Sequence, residues 1–199
     1  MAYVARVLIV EGGERGLRLA QALVEEGHAV RVVASDGSRR ARIEEVGAEC
    51  FLGTPDRLAS LRGVLEHVTV ACWLLADTNS PDSDLVRALH GSRLEQFLSS
   101  AIDSTLRGFV YDAMGSVPAE VLTEGERIVS ETAARNLIPI AIVKAGLGGE
   151  GEVWLTQARA AVNGLLEGGD TNAGPRYAGS NIPKSRSAFE NKVSTQEDS

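Results

Sequence analysis

Short apolar runs, rich in β-branched residues and bounded by glycine or polar turn residues, recur along the chain. This pattern is typical of buried strands. The predicted strands span residues 4–10, 28–35, 48–53, 68–76, 106–113 and 137–145. The run "VTVACWLLA" at 68–76 is almost purely apolar, which indicates a central strand covered on both faces.

Between these runs, apolar residues fall at helical spacing, as Leu19, Ala20 and Leu23 do after the first strand. The predicted helices span residues 15–26, 38–46, 117–136 and 153–166, with others that begin near Pro55, Asp84 and Ser92. Strands that alternate with helices in this rhythm form βαβ units. The sequence therefore predicts an α/β fold, a three-layer doubly wound parallel sheet of about six strands.

From residue 168 onward the composition changes to glycine, asparagine, serine, proline and charged residues, with only isolated apolar side chains. Such a segment buries too little surface to offset the entropy lost on ordering. We therefore expect one domain over residues 1–167 and a disordered tail over 168–199. Docking of the tail on a partner, through Tyr177 or Phe189, is the alternative.

The net charge of -7 over 199 residues argues against nucleic acid or an anionic membrane as the partner. No run approaches the ~20 apolar residues of a membrane span, and the apolar run in "MAYVARVLIV" is too short for a signal-peptide core. We expect a cytoplasmic protein. The three histidines lack partners at metal-ligand spacing, so no metal site is expected.

The stretch "VLIVEGGERGLRLAQAL" leads from the first predicted strand through Gly12, Gly13 and Gly16 into the first predicted helix. A helix N-terminus offers free N–H groups and a partial positive charge, and glycine lets a pyrophosphate approach the backbone. The pattern is G-G-x-x-G rather than G-x-G-x-x-G. A tight βα turn without a nucleotide is therefore the alternative to a nucleotide-binding loop.

At these positions the chain resembles the short-chain dehydrogenase/reductase superfamily, in its extended and atypical branches. The resemblance covers roughly residues 4–166, in the family's order and spacing, and implies a Rossmann-like, NAD(P)-binding domain. The family's G-x-x-G-x-x-G loop would place its glycines at Val10, Gly13 and Gly16, so the first is missing and Gly12 lies near it. The similar segments are "GLRLAQALVEEGHAVRVVASD", "GAECFLGTPDRLASLRGVL", "VTVACWLLA" and "LRGFVYDAMGSV".

The end of the second predicted strand bears on the choice of cofactor. Asp36 lies 20 residues after Gly16, the spacing of a ribose-binding carboxylate. The resemblance implies an acidic residue at Ala34 for NAD and an arginine at Ser35 for NADP, and neither is present. A guanidinium of Arg39 could pair with a 2′-phosphate, which leans towards NADP, although a solvated helix face explains residues 39–42 equally well.

Other candidate cofactor contacts come from the loop and from later strand ends. Arg15 lies inside the loop and could face the phosphates, whereas Glu14 brings a negative charge there. The resemblance implies an adenine contact at Thr54, and Lys144 occupies the position of an arginine beside the cofactor. The full set of candidate cofactor-binding residues is Gly12, Gly13, Glu14, Arg15, Gly16, Ser35, Asp36, Arg39, Thr54 and Lys144.

Catalytic residues are not apparent. The resemblance implies a tyrosine followed four residues later by a lysine, which lowers its pKa, and a serine at the end of the fifth strand. No Y-x-x-x-K occurs in the chain, and Asp112 and Ala113 stand where the serines are expected. Tyr111 is interpreted as a core residue, and Trp154 as a core or subunit contact.

Two hypotheses about function follow, and they leave open whether the chain is an enzyme. The first is an NAD(P)-binding protein that transfers hydride to a small carbonyl or quinone-like substrate. The second is a non-catalytic cofactor sensor, or a Rossmann-shaped scaffold that binds no cofactor. A homodimer through the long, Glu-rich helix is expected by analogy alone.

Overall fold

The computed structural model describes residues 4–11, 13–61, 63–144 and 151–168. The strands are β1 (Arg6–Glu11), β2 (Ala29–Ala34), β3 (Glu49–Leu52), β4 (Val70–Leu74), β5 (Gly108–Asp112) and β6 (Ile140–Val143). The helices are α1 (Gly13–Glu25), α2 (Arg40–Glu45), α3 (Ser83–His90), α4 (Ser92–Ala101), α5 (Ala119–Asn136) and α6 (Gly151–Gly168).

All six strands form one parallel sheet in the order β3-β2-β1-β4-β5-β6. The order reverses between β1 and β4, because the chain leaves one edge of the sheet after β3 and returns to the middle. In open α/β sheets, ligands bind outside the carboxyl ends of the strands at such a switch point. The predicted doubly wound parallel sheet is therefore confirmed, and its topology fixes where a site is to be sought.

Two apolar layers cover the sheet. On one face, side chains of α1 and α6 such as Leu19, Leu23 and Val162 pack with alternate residues of the strands. On the other face, Phe97 of α4 and Val129 of α5 pack with the remaining residues. Every residue of β4 is buried, as its apolar run predicts for a strand covered on both faces.

The segment between β3 and β4 corrects a prediction. Leucines at helical spacing predicted a helix from Pro55, but within the described residues the segment contains only a short 3₁₀ turn, Leu58–Leu61, followed by irregular turns. Gly63 and His67 have φ of +77° and +60°, values incompatible with a continuing α-helix. The buried Arg31 of β2 donates a 2.7 Å hydrogen bond to the Val64 carbonyl. This carbonyl thus has a side-chain partner from another strand instead of an amide in the next turn of a helix.

The predicted disordered tail lies outside the described residues, except for Gly168 at the end of α6. The division into a domain and a tail therefore stays a prediction. Among the helices described, none combines the length and the apolarity that crossing a membrane requires.

Candidate functional site

The turn from β1 into α1 lies at the switch point and has an unusual backbone. Glu11 has a φ of +60° and Gly13 a φ of +52°. Glutamate seldom adopts the left-handed region, so the turn stores local strain. Gly12, one of the predicted contacts, lies outside the described residues. Strain of this kind concentrates at binding and catalytic sites, which makes this turn the candidate site.

Gly16 permits α1 to pack closely against β1. A Cβ at this position would lie 2.5 Å from the Glu11 carbonyl oxygen and 3.3 Å from Cγ2 of Ile9. Any side chain would therefore push the start of the helix away from the strand. This is the role of the third glycine in dinucleotide-binding loops, where it allows close contact between helix and strand.

Two arginines that follow β2 hold the loop. Arg42 donates to both carboxylate oxygens of Glu14, at 2.7 and 2.8 Å, and these bonds lower the pKa of Glu14. Arg39 donates a 2.8 Å hydrogen bond to the Gly13 carbonyl. The acidic residue in the first turn of α1 is thus neutralised, and the basic segment contacts the loop rather than only facing solvent.

The carboxyl ends of β2 and β3 form an open surface on one side of the loop. Ser35 and Asp36 are exposed there, and the Asp36 carboxylate accepts a 2.7 Å hydrogen bond from the Ser38 amide. Thr54 is half-buried, and its hydroxyl accepts from the Asp56 amide at 3.3 Å. Leu52 is 47% exposed beside them. The structure thus brings these predicted contacts to one side of the loop.

The opposite side of the loop carries what we name the Arg15 cluster, formed by Arg15, Asp77, Asp112 and Trp154. The Arg15 guanidinium lies 2.7 Å from Oδ2 of Asp77 and 3.9 Å from Oδ2 of Asp112. It also lies 5.5 Å from the centre of the Trp154 ring, within the range of a cation–π interaction. Arg15 therefore extends across the carboxyl ends of β4 and β5.

Asp112 is the buried carboxylate of this cluster. Its carboxylate accepts from Nε1 of Trp154 at 3.3 Å and from the Met114 amide at 3.4 Å. Burial raises the pKa of Asp112 to about 6, because desolvation disfavours the ionised form more than these bonds and Arg15 favour it. Sequence reasoning missed this grouping, although Asp77 follows the buried strand β4 and Asp112 is the last residue of the buried strand β5.

Lys144, another predicted contact, lies beyond the end of β6. Its Nζ forms a 2.7 Å ion pair with Glu126 of α5. This ion pair places the ammonium group beside α5. Lys144 thus pairs with α5, whereas the described contacts on α1 and in the segments after β2 and β3 lie beside the loop.

Tyr111 is a core residue, as interpreted from the sequence. It is fully buried, and its hydroxyl donates to Nδ1 of His90 at 2.7 Å. The other ring nitrogen of His90 donates to the Leu75 carbonyl at 3.2 Å. Burial raises the pKa of Tyr111 and lowers the pKa of His90 to about 4. The pair is neutral and structural, and this tyrosine supplies no proton at the site.

Replacing Tyr111 by phenylalanine is expected to lower the free energy of unfolding by about 1–2 kcal/mol, because Nδ1 of the buried His90 loses its donor. The measurement is urea-induced unfolding of both proteins. Ligand binding at the loop should not change, since the hydroxyl faces the core. A loss of binding at unchanged stability would contradict the structural role.

A cavity of about 540 Å³ lies elsewhere, between the segment after β3 and α4. His67 and Thr105, which precede β4 and β5, are among its lining residues. The cavity is therefore at the amino ends of these strands, opposite to the edge where parallel α/β sheets bind ligands. Within the ranges described, no group of three or more metal-ligating side chains is placed to hold an ion.

The sequence matches no family model and no curated protein. Solved structures do match. Vestitone reductase from alfalfa is 19% identical with a TM-score of 0.53 over 69% of this chain and 55% of its own. UDP-glucuronic acid 4-epimerase from Bacillus cereus, in complex with NAD, is 15% identical with a TM-score of 0.57 over 71% and 56%. BdcA from E. coli is 18% identical with a TM-score of 0.57 over 81% and 96%.

The chain shares the Rossmann-like α/β fold of these three structures. That outcome confirms the fold implied by the resemblance in the sequence. With identities below 20%, these likenesses concern the fold alone. The chain spans about half the length of the first structures it matches.

Proposed function

We propose that the chain binds an adenine dinucleotide of the NAD(P) type, with its diphosphate at the N-terminus of α1. The observation that carries the proposal is the close approach of Gly16 to the Glu11 carbonyl at the switch point of the sheet. This contact preserves the helix–strand packing that dinucleotide loops need. The NAD in the complex of the Bacillus cereus epimerase, which shares the fold, supports the same ligand class.

The residues present fit one half of such a ligand. The first N–H groups of α1 suit a diphosphate, and the Arg42 pair compensates the charge of Glu14. Asp36 stands at the end of β2 where a ribose hydroxyl would be met. Arg39 lies close by and donates to the Gly13 carbonyl. If its guanidinium exchanged this bond for one to a 2′-phosphate, it would favour NADP over NAD.

The residues present fit the other half of the dinucleotide, its second nucleoside, poorly. Arg15 crosses the carboxyl ends of β4 and β5, where the second nucleoside of a dinucleotide would lie. Tyr111 lies in β5, but its hydroxyl donates a hydrogen bond to His90 in the core. We therefore favour a binding or sensing role over hydride transfer to a carbonyl or quinone-like substrate. A reductase would consume NADPH with such a substrate, which an absorbance assay detects.

Thermal unfolding with NAD, NADH, NADP and NADPH tests the proposal. At 100 times its dissociation constant, a ligand adds about 2.7 kcal/mol of stability, which raises Tm by roughly 5–10 °C for a chain of this size. We expect at least one of the four to do so. If none moves the midpoint, the interpretation as a scaffold without a nucleotide stands instead.

A matched pair of variants places the ligand at the loop. A Cβ at Gly13 meets no atom within 4 Å, and both asparagine and aspartate tolerate its left-handed backbone. Gly13→Asp should abolish the ligand-induced shift, because a carboxylate at the helix N-terminus repels a diphosphate. Gly13→Asn, of nearly the same shape, should keep most of it. Equal shifts in the two variants would place the site elsewhere.

A further inference from the structure

The two sides of the glycine loop differ in how open they are. On the β2–β3 side, Ser35, Asp36 and Leu52 are exposed, and Asp36 forms no ion pair with another residue of the described part of the chain. On the β4–β5 side, the Arg15 cluster covers the strand ends. A dinucleotide lies across both sides, one nucleoside on each. The two sides of the loop therefore differ in which part of such a ligand they can bind.

A backbone contact closes the β4–β5 side independently of Arg15. The Val117 amide donates to the Ala76 carbonyl at 3.0 Å, and the Ser116 amide donates to Oδ1 of Asp77 at 2.9 Å. A Cβ at Gly115 would overlap the Ala76 carbonyl. The loops after β4 and β5 thus lie directly against each other, and they leave little room between the two strand ends.

Arg15 is held in place by several partners at once. Besides Asp77, Asp112 and the Trp154 ring, it donates to the Met114 carbonyl at 3.4 Å. Its departure would leave the ionised Asp112 buried without a cation nearby, which is costly. A nicotinamide ring would have to displace this side chain to reach the strand ends. The binding free energy gained from contacts of the ring would then be offset by the interactions that Arg15 loses.

We infer that this site holds its ligand by the adenosine diphosphate half, and that the Arg15 cluster excludes the second nucleoside of a dinucleotide. The inference rests on the proposed function and specifies its ligand class. Adenosine diphosphate, ADP-ribose and NAD(H) share the part that is bound. The second nucleoside stays in solvent and adds no affinity.

Calorimetric titration at one salt concentration, with ADP, ADP-ribose, NAD and NADH, tests the inference on the full chain. We expect dissociation constants for ADP-ribose and NADH within about threefold of each other, since the nicotinamide contributes no contact. An NADH affinity more than about tenfold above that of ADP-ribose overturns the inference while the proposed function stands. If none of the four ligands binds, the proposed function itself fails.

Two variants test the role assigned to Arg15, each read as the ratio of the ADP-ribose to the NADH dissociation constant. Arg15→Ala removes the side chain, and Asp77→Asn weakens its anchor while keeping an oxygen for the Ser116 amide. We expect the ratio to rise about tenfold in the first and less in the second. The ratio cancels any loss of diphosphate affinity that both ligands share.

Arg18→Ala is the matched control. Arg18 lies one turn further along α1 and forms an ion pair with Glu152, outside the Arg15 cluster. Its removal should leave the ratio at the wild-type value. A ratio near one in both Arg15→Ala and Asp77→Asn, or an equal rise in Arg18→Ala, would overturn the assignment to Arg15.

Discussion

Gly125→Ala is expected to destabilise the fold by at least about 2 kcal/mol, whereas Gly164→Ala should stabilise it by about 0.5–1 kcal/mol. Both glycines lie inside long helices, α5 and α6. A Cβ at Gly125 would overlap the Tyr111 hydroxyl and lie 2.7 Å from Cζ of its ring. A Cβ at Gly164 meets nothing within 4 Å. The same substitution thus has opposite signs, because only Gly125 accommodates the buried tyrosine.

Thermal or urea unfolding of the two variants measures this difference. For a chain of this size, 2 kcal/mol corresponds to a fall in Tm of about 4–8 °C. In Gly125→Ala combined with Tyr111→Phe, the loss of stability should be smaller than the sum of the two single losses, because the overlapping hydroxyl is gone. Equal stabilities for the two alanine variants would mean that Tyr111 can move away from α5 at no cost, which its hydrogen bond to His90 argues against.

Asp112→Asn is expected to stabilise the chain at neutral pH by up to about 3 kcal/mol. The pKa of Asp112 is raised to about 6 in the folded state, from about 3.9 in an unfolded chain. Between these values the folded state binds more protons than the unfolded one. The carboxyl therefore costs stability as the pH rises from 4 to 6, and the full cost applies above 6.

His90 acts in the opposite direction over the same interval. Its pKa is lowered to about 4 by burial, from about 6.5 in an unfolded chain, so stability is lost as the pH falls from 6.5 to 4. In the wild type the two groups offset each other. Removing the carboxyl reveals the effect of the histidine, and Asp112→Asn should gain stability with rising pH more steeply than the wild type.

The measurement is urea unfolding of both proteins at intervals from pH 4 to 7. The difference between the two curves removes every titrating group that they share. We expect this difference to grow from near zero at pH 4 to its full value above pH 6. A flat difference would mean that the Asp112 carboxyl keeps its ordinary pKa, and that Arg15 and Trp154 compensate its burial completely.

The fold was predictable because its strands can be recognised from neighbouring residues alone. β1 and β2 are rich in β-branched residues, and β4 is apolar throughout. The segment after β3 misled the same reasoning, since its leucines have helical spacing. There the Val64 carbonyl is bound by Arg31 from β2, a partner far away in the sequence. Local periodicity carries no information about such a contact.

The site was predictable in part for the same reason. The loop and Gly16 are read from neighbouring residues, but the partners of Arg15 come from the ends of separate strands. Arg39 was expected to face either solvent or a 2′-phosphate, and it binds the Gly13 carbonyl instead. Only the sheet order brings these elements together. Whether the predicted contacts bind a cofactor stays a prediction that the titrations address.

The hydrogen bonds that Arg39 and Arg42 donate to the glycine loop link ligand affinity to the stability of α2. α2 has six residues, fewer than a helix needs to persist by itself. Arg42 within it and Arg39 just before it contact Glu14 and Gly13, so the short helix and the loop support each other. A phosphate that took either guanidinium would weaken that support. Part of its binding free energy would then be spent on loosening α2, and local opening of the helix and occupancy of the loop would be linked equilibria.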